Sequence, residues 1–390
     1  MLEDLVNDMK ESPYSLIIDE STDISTEKIL CIMVRYFSFK KKKLLTTFYR
    51  IVKIVDATAN GIHSALKLQL EADGLSLKNL VGIGVDGANV MVGVNHSVSS
   101  LLRQEVPDIV IIKCICHSLH LCAEKAAETL PRQLEYLVRE AHNWFSNSPN
   151  RKDDYKKLYK VMNGDEAKKD PKKIAGLSGT RWLARYSAIN TILEQWKELK
   201  LLFELAKNND KCLQAQYLYD IMVCPAYKLF MIFLHSNLEL LTNLNKLFQS
   251  SNVEIFKLLE DLFLLYKSIL QKIVVPSQLP KIKDDDLVNF KFQDYLIHTS
   301  SVFFGYNFDQ AAKSVPSNEI SNIRARCKDF LVKLCTEIQE QLPINISILK
   351  SMNVLTSTYA TSQIKPDLSK LLEQFTRESL YGSKDNIIKE

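Results

Sequence analysis

No uninterrupted apolar run in these 390 residues approaches the roughly 18 needed to cross a bilayer, so no membrane association is expected. The first ten residues, M-L-E-D-L-V-N-D-M-K, have neither a basic start nor an apolar stretch, which speaks against a secretory signal. Cysteine stands at only eight positions, 31, 114, 116, 122, 212, 224, 327 and 335, without the dense spacing of a disulfide scaffold. Reduced thiols in a cytosolic or nuclear protein are expected, and the sequons at Asn95 and Asn345 then have no compartment in which to be used. An excess of one charge is lacking too: the net +4 is small for this length and says little about partners by itself. What is present is ordinary for a folded chain, 46% hydrophobic and 25% charged, which excludes general disorder and allows one large core or two smaller ones.

The stretch Tyr14 to Asp23, Y-S-L-I-I-D-E-S-T-D, organises the reading. Its apolar residues, Tyr14 and Leu16 to Ile18, fit a short strand buried on both faces that ends in carboxylates, with Asp19 at its tip. Two more strand-like runs, Ile29 to Phe37 and Leu44 to Val52, flank Lys40-Lys41-Lys42-Lys43, which reads as a solvated hairpin turn in an antiparallel meander. A further apolar run, Leu80 to Val85, ends at Asp86 in the same manner, and Ile109 to Ile112 is another buried strand. Helical spacing covers residues 1 to 12, Ala57 to Ala72, Ala88 to Glu105 and Ser118 to Thr129. A meander followed by alternating helix and strand is the mixed α/β pattern of the ribonuclease H-like fold, in which the first strand lies beside the fourth. Asp19 is therefore expected beside Asp86.

After about residue 131 the strand signals nearly vanish. Leu134 to Phe145, Ala188 to Ala206, Ala215 to Phe248, Val253 to Ile273 and Ile320 to Leu342 are long and helically periodic, with loops expected at Asn163 to Lys173 and Pro276 to Asp286. No fixed-period repeat runs through them, so a solenoid is not favoured. The expected organisation is a core over 1–130, a helical insertion over 131–380 and the start of a truncated C-terminal core helix over 381–390.

Four constellations carry chemistry. Aspartates at the ends of adjacent strands are what two-metal phosphoryl transfer needs, because magnesium takes hard oxygen ligands; the plainer reading is that Asp19 and Asp23 cap a turn and Asp86 caps the helix at Ala88. Gly82, Gly84 and Gly87 match G-x-G-x-x-G, yet Asp86 sits where a pyrophosphate would be repelled, so a dinucleotide site is not favoured. The cluster Cys114-Ile115-Cys116-His117-Ser118-Leu119-His120-Leu121-Cys122 has zinc-like softness but no second Cys/His pair downstream, and a buried strand-to-helix transition explains it as well. Finally, eleven Lys or Arg stand against five Asp or Glu between Arg151 and Arg185. Within that local excess, Arg181, Trp182 and Arg185 could stack a nucleobase and meet phosphates, or Trp182 could simply anchor the following helix.

Taken together and in order, I-I-D-E-S-T-D-I-S, G-V-D-G-A-N-V-M, C-I-C-H-S-L-H-L and G-T-R-W-L-A-R-Y resemble the catalytic region of hAT-superfamily DNA transposases, in particular the domesticated and zinc-finger MYM-type-like branch. The resemblance implies a ribonuclease H-like mixed sheet interrupted by a large all-helical insertion domain, with an Asp-Asp-Glu triad binding magnesium or manganese. It assigns Asp19 and Asp86 as the first two catalytic carboxylates and metal ligands, and Glu390 as the match to the third. Cys114 and His117 resemble the family's C-x-x-H element, His117, Arg181, Trp182 and Arg185 become the DNA-contacting set, and Trp182 resembles the tryptophan that stacks a flipped base. Ser21 stands where active relatives carry a tryptophan. DNA is the implied partner, the nucleus the implied compartment, and homo-oligomerisation would use a C-terminal segment beyond Glu390. Because that segment and an N-terminal zinc finger are missing, the chain is expected to bind DNA with a remnant, inactive site; a non-catalytic protein-interaction or transcription-regulatory module is the alternative.

Overall fold

The computed structural model describes residues 2–10, 12–22, 26–146, 148–164, 170–176, 182–250, 257–282, 284–341 and, further on, 350, 352, 354, 355 and 361. Two compact units divide the chain, the first containing Met1–Ser118 and the second Leu119–Pro343.

The first unit opens with α1 (Leu2–Met9), whose Val6 and Met9 are buried. The meander follows as β1 (Tyr14–Thr22), β2 (Lys28–Ser38) and β3 (Lys43–Ile54), paired antiparallel, with Lys42 at a φ of 51° in the lysine turn between β2 and β3. Then come α2 (Ala59–Ala72), β4 (Leu80–Val85), α3 (Asn89–Val92), α4 (Val98–Glu105), β5 (Val110–Lys113) and the first turn of α5 (Ile115–Ala127), whose remainder from Leu119 on belongs to the second unit. The five strands form one sheet in the order β3-β2-β1-β4-β5, with β4 parallel to both β1 and β5. The mixed α/β sheet with the first strand beside the fourth is thus the observed architecture.

Period-2 patterning builds its core. Leu30, Ile32, Val34 and Tyr36 of β2 are all 3% exposed or less, and they form one cluster with Ile62, Leu66 and Leu70, which recur every four residues along α2, and with Val98 and Leu102 of α4. The Thr58 side chain caps α2 by accepting from the N–H of Gly61, and the chain turns out of α2 through Asp73 and Gly74, the latter at a φ of 71° that glycine tolerates best.

Two expectations need correction here. β1 is not buried on both faces: it alternates, with Tyr14, Leu16 and Ile18 at 2% or less and Ile17 at 45%. Its apolar run reads as continuous only because an outward isoleucine falls between inward ones. The helix expected over 88–105 is two helices. α3 stops at Gly93, where an added Cβ would lie 2.5 Å from the Asn89 carbonyl oxygen, and α4 restarts behind a capping box in which Ser97 and Ser100 satisfy each other's backbone N–H groups.

The second unit is helical, as expected: α6 (Gln133–Ser146), α7 (Pro149–Asn163), α8 (Trp182–Glu194), α9 (Trp196–Asn209), α10 (Leu213–Val223), α11 (Pro225–Phe248), α12 (Leu258–Ile273), α13 (Tyr306–Ala312) and α14 (Ser317–Gln341). Two expected helices are split. The run over 188–206 breaks at Gln195, whose buried amide accepts from Tyr155 Oη and donates to the Lys172 carbonyl. The run over 215–248 breaks before Pro225, which has no N–H to continue a helix and is suited to begin one. The core of this unit includes Phe233, packed edge-on against Phe304, Phe308 and Phe330 at ring separations of 5.6, 6.4 and 5.3 Å. Among the described residues no single helix is long and apolar enough to cross a membrane.

Candidate functional site

Parallel strands bring their carboxyl ends to one edge of the sheet, where α/β proteins place their ligands. The register of β1 against β4 runs Leu16 to Ile83 and Ile17 to Gly84. Carried on by two residues, it sets Asp19 level with Asp86. An added Cβ on Gly84 would lie 3.6 Å from Ile17 Cγ1, so the two positions share a face, and the alternation of β1 turns Asp19 to that same face. Asp19 is exposed and is not at the strand tip: β1 continues to Thr22, held by β2 as far as the Thr22–Lys28 pair. Asp86, half-buried, is the first residue after β4, and its Oδ1 accepts from the N–H of Ala88 at 3.1 Å. The expected helix cap by Asp86 is not what forms: α3 has Ala88 at its N-cap with no side-chain cap, and Asp86 instead closes a local turn through the Ala88 N–H, which leaves Oδ2 for another role.

The β4–β5 ladder ends in a bond from Cys114 N–H to the Val85 carbonyl, 2.8 Å, which draws the start of α5 up to Asp86. Two side chains from that corner meet the loop after β4. A Cβ added at Gly87 would lie 2.6 Å from Lys113 Cε, 3.3 Å from its Nζ and 3.5 Å from His117 Cδ2. Lys113 is only 6% exposed. Reading the sequence missed it, because neither aspartate has a lysine or arginine next to it in the chain; the available signal was a lysine closing the apolar run Ile109 to Ile112. His117 thus lies against Gly87, next to Asp86 in the chain.

The glycines of G-x-G-x-x-G have a packing explanation. Gly82 and Gly84 lie inside β4, where a Cβ would meet the Val110 carbonyl at 3.1 Å or Ile17, and the helix that follows Gly87 is four residues long. That is not a phosphate-cradling turn feeding a long helix. Zinc fares no better: among the described residues no group of three or more His, Cys, Asp or Glu side chains converges to hold a metal. The pair Asp19 and Asp86 offers hard oxygen donors suited to one divalent cation and needs a third donor to close the site.

Residues 1–96 match the family model DUF4371, described as ZMYM1/FAM200, RNase-like domain. The match contains both aspartates and the meander, and it supports a transposase-derived, domesticated origin for that portion of the chain. It stops short of Cys114, the basic segment and Glu390.

The remaining candidate residues have separate fates. Arg181 and Glu390 lie outside the described residues, as does the side chain of Trp182, whose backbone begins α8. Arg185 is engaged: its side chain is 12% exposed and pairs with Glu135 at 3.1 Å, beside a cavity of about 760 Å³ whose lining includes Glu124, Glu128, Arg132 and Arg139. Charges of both signs make that cavity a poor phosphate site. Other bases of the segment are paired as well, Lys156 with Asp170, Lys157 with Asp154 and Lys172 with Glu194, while Arg151 stacks on Trp144 with 3.7 Å between its guanidinium carbon and the ring centroid. The local excess of positive charge is thus partly neutralised by the fold.

Proposed function

We propose that this chain is an hAT-transposase-derived DNA-binding protein whose RNase-like unit keeps a remnant of a metal-dependent strand-transfer site. The observation that supports the reading is the parallel register of β1 against β4, which, carried on by two residues, brings Asp19 level with Asp86 just beyond β4, both within the matched RNase-like segment. Asp19 and the unbonded Oδ2 of Asp86 would hold magnesium or manganese, which when bound polarises a phosphoryl oxygen and supplies a metal-held water. Around it, Lys113 from β5 would bring a positive charge beside Gly87 that suits a scissile phosphate, and His117 from α5 a donor or acceptor against the same loop. Glu390 is the proposed third carboxylate.

DNA contact is proposed for α7 and the residues leading to Trp182, with Arg181 and Trp182 meeting an unstacked base. Arg185 joins only by exchanging Glu135 for a phosphate. A nuclear location follows from this reading. The test is fluorescence anisotropy with hairpin-ended and plain duplex DNA at low and high salt: affinity should fall steeply with salt, and Trp182→Ala should weaken hairpin binding more than duplex binding. Salt-independent affinity would sink the proposal.

A second reading, a protein-docking module, has one observation in its favour: Leu213 and Tyr217 lie one turn apart on α10 and are 70% and 62% exposed. Leu213→Ser with Tyr217→Ser should then abolish concentration-dependent self-association in sedimentation while leaving DNA affinity unchanged.

A further inference from the structure

Residues 170–176, D-P-K-K-I-A-G, belong to no helix or strand, yet they are pinned to the helices of the second unit along their length. Asp170 pairs with Lys156 of α7 at 2.9 Å. The Lys172 carbonyl accepts from the Gln195 amide at 3.0 Å, and the Lys172 ammonium pairs with Glu194 at 2.7 Å. Ile174 is a buried peg whose carbonyl lies 3.0 Å from His142 Nδ1. A carbonyl only accepts, so that nitrogen carries the proton and donates. Gly176 approaches the same ring so closely that an added Cβ would lie 3.0 Å from its Cε1 and Nε2. Gln195 is the least replaceable of these anchors. It is buried, and a buried amide costs free energy unless both its ends are bonded. Here both are: Oε1 accepts from Tyr155 Oη at 2.9 Å, and Nε2 donates to Lys172. One side chain thereby ties together α7, the α8–α9 junction and the segment 170–176.

What these anchors hold outward is positive charge. Lys172 and Lys173 are exposed, alongside α7, whose Lys156 reaches Asp170 and whose Lys160 acts on the same carboxyl. Glu194 engages the Lys172 ammonium, whereas Lys173 enters no ion pair among the described residues. We propose that Gln195 and His142 are positioning residues for DNA contact, fixing the backbone of 170–176 so that Lys173 and the lysines of α7 meet the phosphates of one duplex. The proposal rests on the DNA-binding reading above and says which side chains set its phosphate contacts. A lysine on an untethered segment must be ordered as it binds, and that entropy is subtracted from its affinity; a lysine on a backbone already pinned loses less. The contribution of Lys173 therefore depends on Gln195 and His142, although neither touches the DNA. A Gln195 that only stabilised the helices would leave the contribution of Lys173 unchanged.

The experiment is a double-mutant cycle on the full chain, read by fluorescence anisotropy with plain duplex DNA across a salt series. Brief trypsin digestion with mass spectrometry follows cleavage between Lys173 and Ile174. Gln195→Met keeps the volume and removes both amide bonds; His142→Phe, at a half-buried residue, keeps a ring, removes the other anchor and serves if Gln195→Met loses the fold. Tyr155→Phe removes the Gln195 partner that lies outside the segment. Lys173→Gln should flatten the slope of log affinity against log salt by about 0.9 in the unmodified sequence and in Tyr155→Phe. In Gln195→Met and His142→Phe the same change should cost less than about 0.3 of slope, because the two sites are coupled. Cleavage after Lys173 should be about tenfold faster in these two variants, as local opening there no longer breaks a hydrogen bond, and unchanged in Tyr155→Phe. An equal effect of Lys173→Gln in every background would overturn the proposal and leave the DNA-binding reading standing, as would cleavage no faster in Gln195→Met and His142→Phe. Affinity of the unmodified sequence that ignores salt would overturn both.

Discussion

The side chain of Lys113, buried at the end of β5, ends against Gly87, the residue after Asp86. A lysine side chain that ends this near a candidate metal ligand would, when protonated, compete with a cation for the same carboxylate. Lys113→Met should therefore raise manganese affinity about tenfold, corresponding to ~1.4 kcal/mol for one nearby charge in a partly shielded site. Isothermal titration of the two proteins gives the ratio. Equal affinities would show that Lys113 does not act on Asp86.

A second relationship fixes the first unit. Asp73, at the end of α2, accepts both arms of Arg50 at 2.9 and 2.6 Å, the Tyr49 hydroxyl and the Gln69 amide. The Arg50 hydrogen bonds, with help from Tyr49 and Gln69, hold its carboxyl below the usual range against the effect of burial. Because the folded value is depressed, this stabilisation is complete above the unfolded value of roughly 4 and is lost as pH falls through the folded one. Asp73→Asn should cost about 2 kcal/mol at neutral pH, discounted for the partial exposure of Arg50, and its cost should shrink below about pH 3. Urea unfolding at both pH values measures it; a pH-independent cost would assign the effect to packing.

In the second unit Phe233 touches three other phenylalanines and is fully buried. Phe233→Ala should destabilise that unit by about 3–5 kcal/mol, while Phe303→Ala, at a residue 63% exposed, should cost less than about 0.5 kcal/mol. Differential scanning calorimetry distinguishes the two. Comparable losses would mean that the phenylalanine cluster is not what holds these helices together.

Period carried most of the fold. The alternation in β2 and the four-residue spacing in α2 are direct consequences of one buried face, and both could be read from the order of residues. The boundaries that escaped notice turned on single groups. Pro225 begins α11 within what looked like one apolar run, and the Ser97 and Ser100 pair restarts α4 after Gly93; each is a local hydrogen-bonding decision that apolar spacing does not record. The adjacency of Asp19 and Asp86 could be anticipated from strand order, but Lys113 could not, because it approaches Gly87 across the β4–β5 pairing and not along the chain. Nor could the pairing of Arg185 with Glu135, which lie 50 residues apart.

The basic segment gives a graded expectation. Lys152, Lys160 and Lys173 belong to it and are not among its ion-paired or stacked members described above. If DNA binding runs through this surface, replacing all three by glutamine should flatten the slope of log affinity against log salt by roughly 2.7, about 0.9 per lost phosphate contact on duplex. Replacing Lys156, Lys157 and Lys172, which pair with Asp170, Asp154 and Glu194, should change it by less than half as much. Equal effects from the two triple variants would mean that the acidic partners are displaced on binding.

Catalysis depends on more than two carboxylates. Asp19 and Asp86 alone can supply only part of the six oxygens around magnesium or manganese, one oxygen of Asp86 is already bonded to Ala88 N–H, and a protonated Lys113 would oppose the cation. The expected dissociation constant for manganese is on the order of 1 mM, about −4 kcal/mol, with Asp19→Asn and Asp86→Asn each weakening it tenfold or more. Cleavage of a terminal-repeat duplex in manganese should be absent. Paramagnetic broadening reports the binding and a gel assay the cleavage. Cleavage that vanishes in Asp86→Asn would show that a third carboxylate completes the site, and its survival or loss in Glu390→Gln would then decide whether that carboxylate is Glu390. Binding indifferent to both aspartates would remove the metal from the proposal and leave DNA contact as the activity to explain.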